Sequence, residues 1–280
     1  ALGAGGRALA LVMFGVATFT VVVVAQEFWR GIGARRAMSG DSVPRAAVQL
    51  VRRNRRRYGG YLVHLGMAVL FVGVAASSSF NHARDARLKP GQSAKVGDYE
   101  ITYVRATSSV ADDPRSTGAL MSLGAVLDVR KDGTRIARLE PSRGYFPAAN
   151  DQLGSVGRLV AGESTSEVAL DAGLRRDIWT AVAPELTQLM PLFKRANELV
   201  PADRPDLGLV ALAAIATRYA RDAPEANFRF IDSPMVTWIW LGTLIVFGGG
   251  LIAMWPAPDV MARRARARKL ATVADELGRA

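Results

Sequence analysis

The sequence has no cysteine and only two histidines among its 280 residues. The lack of cysteine excludes disulfide bonds, thiolate metal sites and thiol nucleophiles within the chain. Acidic residues are also few relative to basic ones, 25 against 36, so the net charge is +11. Half of the residues are hydrophobic. Together with the long uncharged runs described below, this composition is not that of an ordinary soluble domain.

The excess positive charge lies in two short segments. Nine arginines stand between Glu27 and Tyr58, opposed only by Glu27 and Asp41, and six basic residues follow Trp255. Residues 80–233, by contrast, contain 20 basic and 20 acidic side chains. Basic segments that flank apolar runs follow the positive-inside pattern of membrane proteins and not the footprint of a nucleic-acid-binding domain. The pattern therefore predicts membrane lipid, and no nucleic acid, as a partner.

Three apolar runs, residues 8–25, 58–80 and 235–255, are long enough to cross a hydrocarbon layer of about 30 Å. If both basic segments are cytoplasmic, residues 80–233 lie outside, and we expect a multi-pass protein of the inner membrane.

The chain begins at an alanine close to an apolar run, and we expect it to be part of a longer polypeptide. The predicted segments are transmembrane helix 1 (1–29), an arginine-rich cytoplasmic loop (30–57), transmembrane helix 2 (58–80), an extracytoplasmic β domain (81–184), an extracytoplasmic helical segment (185–233), transmembrane helix 3 (234–256) and a basic cytoplasmic tail (257–280).

The predicted outer domain changes its hydrophobic period near Pro184. Alternating apolar and polar residues before that point predict short antiparallel strands, with a hairpin at residues 130–134 and further strands at 99–104, 166–170 and 177–182. Residues 185–200 and 206–220 have apolar residues at helical spacing. The expected fold class is an α+β membrane protein: three transmembrane helices with a large extracytoplasmic antiparallel β domain and short helices.

The second apolar run contains no Asp, Glu, Lys or Arg, and its one basic side chain is the imidazole of His64. Ionisable residues within a membrane are costly and usually face a partner or a cavity. A neutral imidazole there has two plausible roles: a hydrogen bond that holds a neighbouring helix, or an axial bond to haem iron. The residues alone leave both open. Gly60, Tyr61, Ala68, Phe71 and Ala75 share its helical face, and Gly60 would let a flat macrocycle approach the backbone.

Other candidates have simpler interpretations. Gly59, Gly66 and Gly73 recur every seven residues on roughly the opposite face, which predicts close helix packing. His82 is expected to be a solvated residue just outside the membrane. Arg143, in a stretch with proline and glycine, is either part of a structural ion pair or a contact for a carboxylate or propionate.

Several stretches of the sequence resemble the haem lyase subunit of cytochrome c maturation, the CcmF family, and their order matches its C-terminal third. They are residues 56–66 (RRYGGYLVHLG), 88–91 (LKPG), 97–99 (GDY), 139–141 (LEP) with Tyr145, 165–169 (TSEVA), 176–179 (RDIW) and 233–242 (SPMVTWIWLG).

The resemblance implies that His64 is an axial ligand of a buried haem b, with Gly60 and Phe71 packing on the macrocycle. It implies attachment of haem to the two thiols of a CxxCH motif in apocytochrome c, with haem delivered by a haem chaperone and thiol-handling subunits as partners. The buried haem would supply an electron that keeps the transferred iron reduced.

The family's tryptophan-rich motif, its external histidines and the second membrane histidine are absent from this sequence. The resemblance therefore implies that this part of the protein is inactive alone. The competing hypothesis, from a different class, is a membrane-anchored scaffold whose outer β domain recruits apocytochrome or partner subunits without catalysing a reaction.

Overall fold

In the computed structural model, the three predicted spans are helices: α1 (Gly3–Ser39), α3 (Arg55–Ser79) and α7 (Val236–Met254). Each is long and apolar enough to cross a membrane. The structure describes residues 3–113, 118–256, 266 and 269–276. The predicted basic tail, 257–280, falls outside these residues except for residue 266 and residues 269–276, which are helical.

The arginine-rich segment predicted as a loop is mostly helical. α1 continues through Arg30, Arg35 and Arg36, and a separate helix α2 (Val43–Arg53) follows. Gly40, at φ +66°, stops α1 in the left-handed conformation that favours glycine. α2 then starts with a proline in its first turn, where the missing N–H costs nothing. Arginine and alanine are good helix formers, which explains why the segment is helical despite its charge.

The chain divides into two compact units, which we call the helical unit (residues up to Ser79 and from Met235) and the sheet unit (Phe80–Pro234). The described residues of the sheet unit form ten strands and three α-helices. Its strands are β1 (His82–Leu88), β2 (Ser93–Val96), β3 (Tyr99–Val110), β4 (Met121–Lys131), β5 (Thr134–Leu139), β6 (Ser142–Phe146), β7 (Glu163–Glu167), β8 (Ala169–Ala172), β9 (Arg176–Pro184) and β10 (Ala226–Pro234). Its helices are α4 (Gly154–Val160), which follows a short 3-10 turn, α5 (Met190–Leu199) and α6 (Pro205–Asp222).

The strands form two antiparallel sheets, as the alternating pattern predicted. One has the order β1-β10-β9-β8, and the other has the order β2-β3-β4-β6-β7 with β5 also pairing with β4. The two sheets share one buried core, whose largest fully buried side chains include Tyr103, Tyr219, Phe228 and Phe230. α6 packs on this core through Leu212, Ile215 and Tyr219. The sheet unit is therefore stabilised by large apolar side chains in its interior.

Two local predictions were wrong. Residues 166–170 are not one strand: residues 166 and 167 end β7 in one sheet, and residues 169 and 170 begin β8 in the other. The half-exposed Val168 between them marks the point where the chain changes sheets. The predicted helical segment 185–233 also ends too late, because β10 occupies its last part and pairs with both β1 and β9.

Candidate functional site

α3 is held against α7 by glycines on both helices. A methyl group added to Gly59 would lie 2.6 Å from the backbone nitrogen of Ala253, and one added to Gly66 would lie 2.6 Å from that of Val246. The same is true in reverse, since a Cβ on Gly249 would lie 2.8 Å from the nitrogen of Val63. Only glycine permits such an approach of two backbones. The packing role predicted for the glycine heptads is confirmed.

A second side of α3 is covered by α1. Ala68 and Ala75 of α3 are buried, and α1 buries Ala10, Ala17 and Val24 at the same seven-residue spacing. α1 contacts α3 along much of its length. Ala68 and Ala75 therefore belong to the helix interface. They share the helical face of His64 as predicted but are buried, on the side of that face where Tyr61 contacts Glu27 of α1.

The third side of α3 is open within the described part of the helical unit. It presents His64, Met67 at 41% exposure and Phe71 at 37% exposure. Gly60 lies on the same side, and a Cβ added there would meet nothing within 4 Å. The structure thus brings together three of the predicted site residues, namely His64, Gly60 and Phe71. Met67, which was not among the residues predicted for this face, lies beside them.

The imidazole of His64 is fixed in one tautomer by a backbone contact. Its Nδ1 lies 2.8 Å from the carbonyl oxygen of Gly60, one turn earlier in the helix. A carbonyl only accepts hydrogen bonds, so Nδ1 carries the proton and donates it. In the neutral ring, Nε2 then keeps its lone pair. A histidine that donates one ring N–H to a backbone carbonyl and offers the other nitrogen is in the usual state of a metal ligand.

A polar cluster that the sequence did not single out lies one to two turns before His64. Glu27 of α1 accepts hydrogen bonds from Arg57 at 2.5 Å and from the hydroxyl of Tyr61 at 3.0 Å. Arg57 also donates to the Tyr61 oxygen at 2.9 Å, and Phe28 packs edge-on against Tyr58 with ring centroids 5.0 Å apart. The cluster ties α1 to α3 and fixes the rotation of α3 about its axis. The signal for this cluster in the sequence was Glu27 itself, an acidic residue next to an arginine-rich segment.

The remaining predicted residues lie in the sheet unit. Arg143 is in strand β6, half-buried, and its Nε donates to the hydroxyl of Ser164 on the neighbouring strand at 2.9 Å. This contact favours a structural role within the sheet. His82 is exposed at the start of β1 and pairs across the strands with Asp232. Among the residues that the structure describes, no three His, Cys, Asp or Glu side chains gather as a metal site.

No protein-family model matches the chain. The chain is 27% identical over 202 residues to the cytochrome c-type biogenesis protein CcmF of Haemophilus influenzae, an alignment that covers 72% of this chain and 23% of that protein. It is 25% identical over 243 residues to the Escherichia coli protein of the same name, which covers 86% of this chain and 28% of the relative. A solved structure of the cytochrome c heme lyase CcmF covers 90% of this chain and 39% of its own, at 15% identity and a TM-score of 0.47. The chain thus spans about a quarter of the length of the two curated relatives.

Proposed function

Because the chain is CcmF-like over most of its length, we propose that it is part of a membrane haem lyase that attaches haem to the CxxCH thiols of apocytochrome c. The relatives are named as cytochrome c-type biogenesis proteins, which supports this role. In this proposal the haem chaperone and thiol-handling subunits of the maturation system are partners. Most of the enzyme lies in sequence beyond the described helices and sheets, and His64 is the contribution of this part.

His64 supplies one axial ligand of a haem b held on the open face of α3. The observation that carries this proposal is the contact of Nδ1 with the Gly60 carbonyl, because it assigns the ring proton to Nδ1 and leaves Nε2 to act as the ligand atom. An imidazole exposed on an apolar helix is costly in hydrocarbon unless it gains a partner. Iron supplies such a partner, because a neutral imidazole nitrogen is a common axial ligand.

The other residues of the open face fit a flat apolar macrocycle. Gly60 leaves space beside the backbone, and the exposed side chains of Met67 and Phe71 offer apolar contacts one and two turns further along. The Glu27, Arg57 and Tyr61 cluster positions this face by holding α3 against α1. A haem at this face supplies one-electron redox chemistry when bound.

The positive-inside rule gives the orientation in this proposal. The arginines of α1, α2 and the start of α3 are cytoplasmic, and the neutral sheet unit lies on the outer face of the inner membrane. Apocytochrome thiols are joined to haem on that same outer face. Half-buried Arg143 already donates to Ser164, so it takes no part in haem binding in this proposal.

Replacement of the ligand tests the assignment. The intact protein, purified in detergent, should show a low-spin haem spectrum, and His64→Gly should lower its haem content at least about tenfold. Even the loss of an outer-shell partner of a metal ligand typically costs about 10–100-fold in metal affinity, and this variant removes the ligand itself. Added imidazole should restore the low-spin spectrum of the variant, which separates loss of the ligand from loss of the fold. His82→Gly is the matched control and should keep the spectrum.

A His64→Gly protein that retains the low-spin spectrum and supports cytochrome c maturation would refute the ligand assignment. The scaffold hypothesis would then account better for the chain. Pull-down of the intact protein with an apocytochrome peptide would examine that alternative separately.

A further inference from the structure

A groove in the helical unit lies away from His64, where the end of α2, the start of α3 and the end of α7 meet. It has a volume of about 410 Å³. Three aliphatic side chains, two arginines and a tryptophan line it. The lining residues are Val51, Arg52, Arg55, Leu251, Ile252 and Trp255.

Among the residues that the structure describes, neither arginine of this groove forms an ion pair with a carboxylate. Residues 3–79 and 235–256 contain two carboxylates in all, Glu27 and Asp41. Glu27 pairs with Arg57 and Arg30, and Asp41 pairs with Arg35. Both acids are therefore engaged elsewhere.

Arg55 is held in place by the end of α7. Its Nη1 donates to the carbonyl oxygen of Pro256 at 3.0 Å, and within the described part of the chain this is its one side-chain hydrogen bond. Arg52 is exposed beside it, one residue before the end of α2. Two cations thus line one largely apolar groove, and no described carboxylate pairs with either of them.

The position of the groove is that of a membrane–water boundary. α2 is amphipathic, with Ala46 and Leu50 buried and arginines exposed, as in helices that lie in the interface. Trp255, 62% exposed, follows the last residue of the apolar helix α7, and tryptophan is enriched at the level of lipid headgroups. Basic pockets between membrane helices on the cytoplasmic side are sites for anionic headgroups.

We propose that this groove binds an anionic phospholipid. The guanidinium groups of Arg52 and Arg55 contact the headgroup phosphate and its charge, and the upper part of an acyl chain lies on Val51, Leu251 and Ile252. The site is independent of the haem assignment, because it shares no residue with the open face of α3.

Native mass spectrometry of the intact, delipidated protein tests this site with phosphatidylglycerol and phosphatidylcholine of identical acyl chains. The wild-type protein should bind phosphatidylglycerol about tenfold more strongly, given two cations at the headgroup. Arg52→Gln with Arg55→Gln should reduce this preference to less than about twofold. Arg45→Gln with Arg53→Gln removes equal charge from exposed positions of α2 outside the groove and should leave the preference intact.

Three results would overturn the proposal. They are no preference in the wild-type protein, an equal loss in the Arg45 and Arg53 control, and displacement of phosphatidylglycerol by excess inorganic phosphate, which would indicate an ion site. Arg52→Gln alone keeps the Arg55 bond to Pro256, so it tests the site even if the double variant misfolds. It should lose a substantial part of the preference, and an unchanged preference would contradict the assignment.

Discussion

The two units of the chain bury opposite kinds of residue. In the helical unit the buried positions are mainly small, among them Ala17, Gly66, Ala68 and Gly249, while large side chains such as Phe247 are exposed. In the sheet unit the interior holds the large side chains, and the surface is charged. Because apolar side chains avoid water, the first arrangement is stable only in a lipid environment, where helices associate through close packing of small residues.

The comparison shows that burial stabilises the two units by different physical means. The sheet unit depends on the removal of large apolar side chains from water. The helical unit gains little from that effect, because lipid is as apolar as the side chains that face it. Its stability depends on backbone proximity at the glycines. The same substitution should therefore have different consequences in the two units.

Phenylalanine-to-alanine substitution in each unit is the strongest test of this difference. Phe228, 2% exposed, lies 5.0 Å from the ring of Tyr103 and stacks on Phe230 at 5.7 Å. Phe228→Ala should cost about 3–5 kcal/mol of unfolding free energy, because it leaves a cavity in a packed core. Phe247→Ala, at a 65% exposed position of α7, should cost less than about 0.5 kcal/mol. Denaturant unfolding of the intact protein in detergent measures both, and equal losses would contradict the comparison.

A smaller effect is expected for a substitution at Gly249 of α7, and its neighbour Gly250 provides the control. Gly249→Leu places a side chain where a Cβ alone would be 2.8 Å from the Val63 nitrogen, so α3 and α7 must separate. Overpacking of this kind costs about 1–3 kcal/mol. Gly250→Leu is the matched control, because a Cβ at Gly250 meets nothing within 4 Å. Thermal unfolding in detergent should show a lower midpoint for Gly249→Leu alone. A lower midpoint for both variants would mean that glycine is needed for another reason.

The sequence predicted the elements whose signals are local. Uncharged runs predicted α1, α3 and α7, and the Asp132-Gly133 pair predicted the hairpin between β4 and β5. Both residues of that turn have positive φ, 50° and 78°, as a two-residue turn of the mirror-image type requires. The heptad glycines likewise predicted a close helix interface, because seven residues return to the same face of a helix.

Features that depend on distant pairing were not predictable in the same way. β10 inserts between β1 and β9, and its register with β1 joins residues that are 138 to 150 positions apart, from Leu88 and Ala226 to His82 and Asp232. A helical wheel centred on His64 includes Ala68 and Ala75, and only the packing of α1 shows that they are covered. The polar cluster at Glu27 also needs α1 and α3 together, since Arg57 and Tyr61 follow it by 30 and 34 residues.

The smallest expected effects concern two aspartates of the sheet unit, whose pKa values shift in opposite directions. Burial raises the pKa of Asp232, with Arg176 and His82 opposing and Asp98 adding to the rise. The hydrogen bond from Arg138, at 2.9 Å, lowers the pKa of Asp128 against the effect of burial. Hence the folded state favours the proton on Asp232 and disfavours it on Asp128.

The pH dependence of unfolding should show these opposite signs. Above the ordinary aspartate value of about 3.9, unfolded Asp232 loses its proton before folded Asp232 does, so its contribution to stability falls as pH rises to the raised folded pKa. Asp232→Asn should remove that fall and match or exceed the wild-type stability at pH 7. Asp128 contributes stability above about pH 3.9, and this contribution is lost as pH falls through its lowered folded pKa.

Asp128→Asn is therefore expected to destabilise the sheet unit at pH 7, with a difference from wild type that shrinks toward pH 3. Unfolding followed by near-ultraviolet circular dichroism between pH 3 and pH 7 measures both series, and both effects should be smaller than those of the core and glycine substitutions. Repeating the Asp232 series with His82→Gln removes the nearby imidazole, whose charge opposes the effect of burial on the Asp232 pKa. If Asp232→Asn lowered stability at pH 7 in that background, the ionised Asp232 carboxylate would stabilise the folded state. Burial would then not be the dominant influence on the Asp232 pKa.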